Sequence, residues 1–502
     1  MEPYLQFLRD WLPFGRGATS APQNEALRQW LDEFASAPAN EAARKLAGRL
    51  PSLLAGHSNL HVRMRILDDV HQAARSLLPG LEDTIAQSAL PLANDGQLAA
   101  VAADNLLKAL AAGYREVVSS IENQRMSAGL INLLRTAIDR GIECLAARQR
   151  LAHRAYAPPS ANSWLQMHRL YAAARLCRIH ADPPLAIETR YVSALLIAFA
   201  DPTKFSRADF TELCACVDRV APHALVLPAS GGRNPPDGAS FVVAPDEGRP
   251  GHRLARASEE FGGKEWIIDC TAVVSALRKE IAAMELTGLP AGNPSRLPLK
   301  KKLLTMWDGQ PTRRFNRTRF KPRGELIIGL PDLTRVLGEE GLRRRSDDWS
   351  SLGTAQHIGV SEWIIADESP DGFGIRYAKG DVGHVEVGEV VGLRPRERNR
   401  IHVCIVRRIT NGGPGRFELG LQEISPTMVV LHAGNRPGPA TGALFFPSLP
   451  GFKGVPGLLA LPGIVDPGME LTVPLGGAPR RIRIMRALEQ NNRCELYFVQ
   501  PA

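Results

Sequence analysis

Two short groups of residues in this 502-residue chain have the types and spacing to hold a planar, phosphorylated ligand. Arg313-Arg314-Phe315-Asn316-Arg317 forms an R-x-x-x-R, and Asp367-Glu368-Ser369-Pro370-Asp371-Gly372 forms a D-x-S-x-x-G. A guanidinium is a planar fork of donors that matches phosphate oxygens or a purine edge in pairs, and it stacks on a base face. Two arginines set apart on a lead segment reach different parts of one ligand. A carboxylate at Asp367 accepts from ring N–H groups. The short hydroxyl of Ser369 serves a phosphate or braces the turn. Gly372 permits a backbone conformation or an approach that a Cβ would block. The same residues also make a sound turn by themselves, since Asp and Ser bond locally to backbone, and an arginine run is commonly a solvated face. Their order sets the pair apart: the arginines precede the first strand-like segment, and the turn lies between the next two.

Those segments are the elements that must position the chemistry. Apolar, β-branched runs at 325–330, 363–367, 374–377, 385–393, 401–409 and 417–424 read as strands. Asn411-Gly412-Gly413-Pro414-Gly415 reads as the hairpin loop joining the last two, because Asn and Gly tolerate positive φ. Six short strands predict a barrel or sandwich. Residues 331–361, with the run LTRVLGEEGLRRRSDDWSSLG, read as an inserted helix and loop lying beside the site. The Arg343-Arg344-Arg345 cluster within it reads as a solvated run. Past 436, a Gly/Pro-rich connector leads to strands at 443–446, 469–473, 481–485 and 494–499, a second, smaller β unit.

Upstream the pattern changes. Residues 1–220 show apolar positions at three- and four-residue spacing, the signature of a helical domain, with no convincing internal repeat. Asn24 and Asn40 suit N-caps, Glu25 and Glu41 suit first turns, and Pro51, Pro79, Pro91 and Pro158-Pro159 read as breakers. Trp164, Met167, Tyr171 and Ala174, with His168 at the margin, form a stripe that reads as core. Residues 221–295 read as a mixed α/β connector, with strands near 225–227, 241–243 and 266–269 and a helix over 271–284. Residues 296–430 then form the barrel with its basic lead segment, and 436–502 the C-terminal unit.

Charge localises the expected partner. The chain carries +9, and the stretch from Arg296 to Arg323 holds ten basic residues and one acid, so 10 − 1 = +9 sits there and the remainder is near neutral. One cationic segment on a neutral protein points to a local anionic partner. The seven cysteines are scattered, and Cys214 and Cys216 read as helix-packing residues, which fits reduced thiols in a cytoplasmic protein. The N-terminal residues MEPYLQFLRDWLPFGRG do not read as a secretory signal, and the strongly apolar run at 191–200 falls short of the ~20 residues that span a bilayer. Phosphate-loop, zinc-protease and nucleophile-elbow motifs are absent, so the chain does not read as an enzyme, and no metal site is expected.

The joint pattern resembles the PilZ family, as does the hairpin CIVRRITNGGPGRFELGLQEIS. The resemblance covers about a quarter of the chain and implies a six-stranded antiparallel β-barrel there; with the patterning on either side the expected fold is an α+β multidomain protein, with a helical N-terminal half, that barrel and a small C-terminal β unit. The resemblance also implies cyclic di-GMP as ligand, with no other cofactor. Arg313 and Arg317 would grip guanine and phosphate, while Asp367, Ser369 and Gly372 form the opposing barrel surface. Arg314 and Arg319 would substitute if the register slips. The expected role is a receptor that couples nucleotide binding at the barrel to a helical region facing an unknown protein partner. The alternatives are a scaffold with a non-binding barrel and a nucleic-acid-binding barrel. The second is disfavoured by the few aromatics placed for base stacking.

Overall fold

The computed structural model describes residues 37–122, 127–181, 187–229, 239–254, 261–287, 296–309, 322–340, 359–397, 400–413, 415–433, 441–475 and 478–502. The chain is an α+β multidomain protein, with a helical N-terminal half, a closed six-stranded antiparallel barrel and a further β sheet at the C-terminus.

The helical half comprises α1 (Ala39–Ala55), α2 (Leu60–Gln87), α3 (Asn94–Glu122), α4 (Ala128–Arg154), α5 (Ala161–Leu176), α6 (Ile187–Phe199) and α7 (Arg207–Val220). Side chains of Asn59, Ser127, Ser160 and Ser206 cap α2, α4, α5 and α7 by accepting from first-turn N–H groups. Asn40 is not a cap: α1 begins from Pro38, and Asn40 lies within its first turn. Pro51 and Pro79 lie inside α1 and α2 instead of ending them. Each removes one ladder bond, and burial of Leu50 and Leu54 beside one, and of Leu81 and Ile85 beyond the other, carries the helix through. The Trp164, Met167, Tyr171 and Ala174 stripe is buried. His168 is buried with it, bonding Tyr191 Oη and the Arg249 carbonyl at 2.8 Å each. Cys214 and Cys216 are buried on α7.

A four-stranded sheet follows, with β1 (Leu225–Pro228), β2 (Ser240–Val243), β3 (His252–Arg253) and β4 (Trp266–Asp269) in the order β1-β4-β2-β3. After it come α8 (Thr271–Thr287) and α9 (Arg296–Asp308). One apolar cluster runs from the helical half through this sheet to Leu299, Leu303 and Trp307 of α9. Trp307 Nε1 donates to the Leu196 carbonyl at 3.2 Å. Part of the basic stretch is already neutralised here: Arg296 pairs with Glu212 at 3.2 Å, Lys300 with Glu280 at 2.6 Å and Lys301 with Glu285 at 2.6 Å.

The barrel is built from β5 (Arg323–Ile328), β6 (Val360–Ser369), β7 (Gly372–Gly380), β8 (Val390–Pro395), β9 (His402–Asn411) and β10 (Phe417–Ser425), closed in the order β10-β7-β6-β5-β8-β9. α10 (Leu330–Glu340) lies between β5 and β6 in the chain. Alternation separates two faces. Leu326, Val391, Cys404 and Val406 point into the ring with Trp363, Phe373 and Phe417, whereas their neighbours Ile327, Val390, Val403 and Ile405 lie in a different cluster on the outer wall. The expected strand at 385–393 begins only at Val390, because Gly388 takes a φ of +94° and turns the chain ahead of it.

The C-terminal sheet holds β11 (Val429–Ala433), β12 (Thr441–Leu449), β13 (Val455–Ala460), β14 (Glu470–Leu475), β15 (Ala478–Gln490) and β16 (Glu495–Pro501), in the order β11-β12-β13-β16-β15-β14. It therefore has as many strands as the barrel. The sequence reading missed β11 and β13, the latter because Pro456 and Gly457 resemble connector residues. Outer-wall residues of the barrel, α10 and this sheet share one core, including Leu333, Val336, Ile405, Leu444, Phe446 and Leu496. On the other side, Asn411 at the end of β9 donates its N–H to the Tyr156 carbonyl at 2.8 Å, and buried Tyr156 and Leu90 join the barrel's own apolar cluster.

Candidate functional site

Three of the sequence-singled residues, Asp367, Ser369 and Gly372, stand together at the β6–β7 turn. Gly372 is there because nothing else fits. Its φ is +146°, and a Cβ would lie 2.0 Å from the Leu421 carbonyl oxygen on β10. Ser369 Oγ donates to the Gly372 carbonyl at 3.3 Å, so its hydroxyl braces the turn. Asp367 sits at a register shift in the β6–β7 ladder, between Ile365 and Asp367. Such an irregularity re-aims a side chain. Its partner in the ladder is Gly374, and a Cβ there would meet Asp367 Oδ1 at 2.5 Å. The carboxylate thus lies over a strand position kept clear of side chain. Gly374 is a residue that sequence reasoning missed. The signal was the second glycine of Gly372-Phe373-Gly374, two places on and therefore on the same strand face.

Arg313, Arg314, Arg317 and Arg319 lie outside the described residues, as do Arg343, Arg344 and Arg345. The described chain resumes at Pro322, whose carbonyl accepts from Ile365 N–H at 2.9 Å, two residues from Asp367. The segment carrying the arginines thus joins the barrel beside the strand that ends in the turn. Arg323, the first residue of β5, pairs with Glu362 at 2.7 Å, and Arg396 and Lys379 reach the same carboxylate at 3.2 and 3.6 Å. Burial pushes the Glu362 carboxyl up, but the Arg323 hydrogen bond and the other two cations hold it below the usual carboxylate range. Three cations against one carboxylate leave a local surplus of 3 − 1 = +2. That corner is five residues from Asp367 along β6, about 16 Å at roughly 3.3 Å per residue. Only Arg323 was named from sequence, as the last of the basic stretch; Glu362, Lys379 and Arg396 were not, since cross-strand pairing brings them together.

The turn is backed by β10. Gly372 registers with Gln422, and Glu423 N–H donates to the Asp371 carbonyl at 2.9 Å. Gln422 Oε1 accepts from Arg407 Nε at 2.7 Å, and Arg407 also makes a two-pronged pair with Glu489 of β15. The neighbouring Glu423 accepts from His402 Nδ1 at 2.8 Å, and His402 meets the Phe373 ring edge-on at 5.1 Å. The described part of the insertion is a helix, as the sequence implied. It packs on β5, β8 and β12. Among the described residues no group of three or more His, Cys, Asp or Glu could hold a metal ion, and no helix is long and apolar enough to cross a membrane.

With this geometry in place, the chain can be set against known proteins. A family model described as the N-terminal domain of the cyclic-di-GMP receptor FimW matches residues 25–229, the part containing α1 to α7. The chain is also 22% identical over 474 residues to the protein named cyclic-di-GMP receptor FimW from Pseudomonas aeruginosa, an alignment that covers 80% of this chain and 77% of that protein. No solved structure matches.

Proposed function

We propose that this chain is a cyclic di-GMP receptor whose site is a PilZ-type barrel, and that it acts by binding and not by catalysis. The observation that carries the reading is the juxtaposition at β6: a carboxylate held over a bare glycine, in a braced turn, beside the point where the arginine-bearing segment enters the barrel. Similarity to a protein named as a cyclic-di-GMP receptor, over most of both chains, supports the same ligand. In this reading Arg313 and Arg317 clasp guanine and phosphate, with Arg314 next in line. Asp367 accepts from a guanine edge, and Ser369 and Gly372 keep the turn in shape. The helical half is the output surface for a protein partner, and the protein works in the cytoplasm.

Calorimetric titration of the full-length chain with cyclic di-GMP tests this directly. Saturable heat is expected. Asp367→Ala and Arg317→Ala should each weaken binding at least about tenfold, the equivalent of ~1.4 kcal/mol for one lost charge-assisted contact. Absence of saturable heat from the unmodified chain would sink the receptor reading and leave a scaffold with a non-binding barrel.

A further inference from the structure

The C-terminal sheet repeats the barrel. With each set of strands counted one to six in chain order, both pair one with two, two with three, three with six, six with five and five with four. In the barrel a ladder closes four onto one. In the sheet the equivalent strands, β14 and β11, come into contact without a ladder among the described residues.

Backbone bonds repeat as well. Ahead of strand four of the barrel, Gly388 N–H donates to the Val406 carbonyl at 2.8 Å and Val406 N–H to the Glu389 carbonyl at 2.9 Å. Ahead of strand four of the sheet, Gly468 N–H donates to the Ile484 carbonyl at 2.7 Å and Ile484 N–H to the Met469 carbonyl at 2.9 Å. The two glycines have φ of +94° and +93°. Three residues before each stands a valine, Val385 or Val465, buried in its own unit's interior.

This correspondence locates the counterpart of the candidate site. In the barrel, Asp367 lies over Gly374. In the sheet the ladder partner of Gly457 is Phe446, and it is the side chain of Leu449, itself paired with Val455, that lies over the glycine, where a Cβ would meet Leu449 Cδ1 at 2.3 Å. Both residues border a register shift between strands two and three of their unit. Leu449 is fully buried in the core shared with the barrel's outer wall, together with Phe446 and Ile424 of β10, and Phe452 packs against that core. The turn that follows, Pro450–Phe452, touches β10 itself. Residues 425–433, which lead into β11, contain no arginine.

We propose that the C-terminal sheet is a second copy of the barrel in which the side chain covering the strand-three glycine is the apolar Leu449 where the barrel has Asp367, so that the turn equivalent to the ligand turn is a docking element clamped onto β10. Its reference to ligand rests on the receptor reading. Its reference to docking does not. The partner of this docking surface is the first barrel, and the strand it grips is the one that backs the 367–372 turn. Polar ties complete the rim: Arg407 to Glu489, and Arg493 to Glu386 at 2.8 Å. Among the described residues there is accordingly one ligand-binding turn, and the second copy holds its back wall.

Hydrogen exchange on the full-length chain, unmodified and with Phe452→Ser, tests the docking. Exchange should accelerate about tenfold or more in 417–425 and 450–454, with 39–154 unchanged. Unaltered exchange in 417–425 would overturn the proposal, and if Phe452→Ser does not fold, Glu489→Gln is read at the same peptides. A second arm titrates cyclic di-GMP into Asp367→Ala. Affinity lowered as above, with no second binding event, is expected. Residual saturable binding that Leu449→Ser removes would make the second copy a ligand site and overturn its reading as a docking element. If the unmodified chain takes up no nucleotide, the receptor reading fails, and the exchange arm alone decides the docking.

Discussion

Two glycines at the β6–β7 turn separate support of the fold from support of the ligand. Gly372 faces a backbone carbonyl, which cannot swing aside, so Gly372→Ala must part β7 from β10. A loss of about 2 kcal/mol or more is expected in urea unfolding. The three atoms nearest to a Cβ at Gly374 all belong to the Asp367 carboxylate. Gly374→Ala should change stability by less than ~1 kcal/mol yet displace that carboxylate, and it should cut cyclic di-GMP affinity about tenfold in a titration. If affinity is unchanged, Asp367 is not a ligand group. Gly372 was legible in the sequence because Asp, Ser and Gly at those intervals spell a turn. Gly374 left only the weaker mark of a second glycine two places on, because a glycine inside a strand takes its role from what lies across from it. The grouping of Glu362 with its three cations was invisible for the same reason.

At the level of elements, the least legible feature was position. Apolar spacing revealed that the insertion after β5 begins as a helix, but nothing local says which surface a helix covers. The structure answers with Gly442 of β12, where a Cβ would lie 2.3 Å from Thr334 Oγ1 and 2.6 Å from Thr334 Cβ. The helix thus sits directly on bare strand backbone. Gly442→Ala should lift α10, cost about 1–3 kcal/mol and speed hydrogen exchange in 330–337 well before it affects the helical half. Strand positions in the barrel were readable because most strands carry apolar residues that divide between ring interior and outer wall. β13 was not, since its Pro456 and Gly457 break the pattern where Leu449 needs room. The likeness of the two six-stranded units was illegible as well: it resides in strand order and backbone bonds.

At the scale of the whole molecule, Glu389 of the barrel meets Arg493 of the second sheet at 3.6 Å. Burial lifts its carboxyl from the ordinary 4.5 to about 7, with Arg493 opposing and Glu386 adding to the rise. Between those values folded Glu389 keeps a proton that the unfolded chain has released. Its contribution to stability is therefore complete below 4.5 and disappears as pH climbs through 7. Glu389→Gln, which cannot ionise, should gain melting temperature relative to the unmodified protein as pH rises from about 5 to about 8. A constant difference across that range would rule out the burial. The two units are therefore joined partly by a group that titrates near neutrality. Around the ring, α10 covers β5 and β8, the second sheet covers the wall that includes Ile405 and Ile424, and the end of β9 is tied to Tyr156. A hoop held along most of its staves breathes through the rest. Among the described residues those are β6 and β7, whose close neighbours are other barrel strands, so among those residues the compliant arc of the hoop is the one that bears the 367–372 turn.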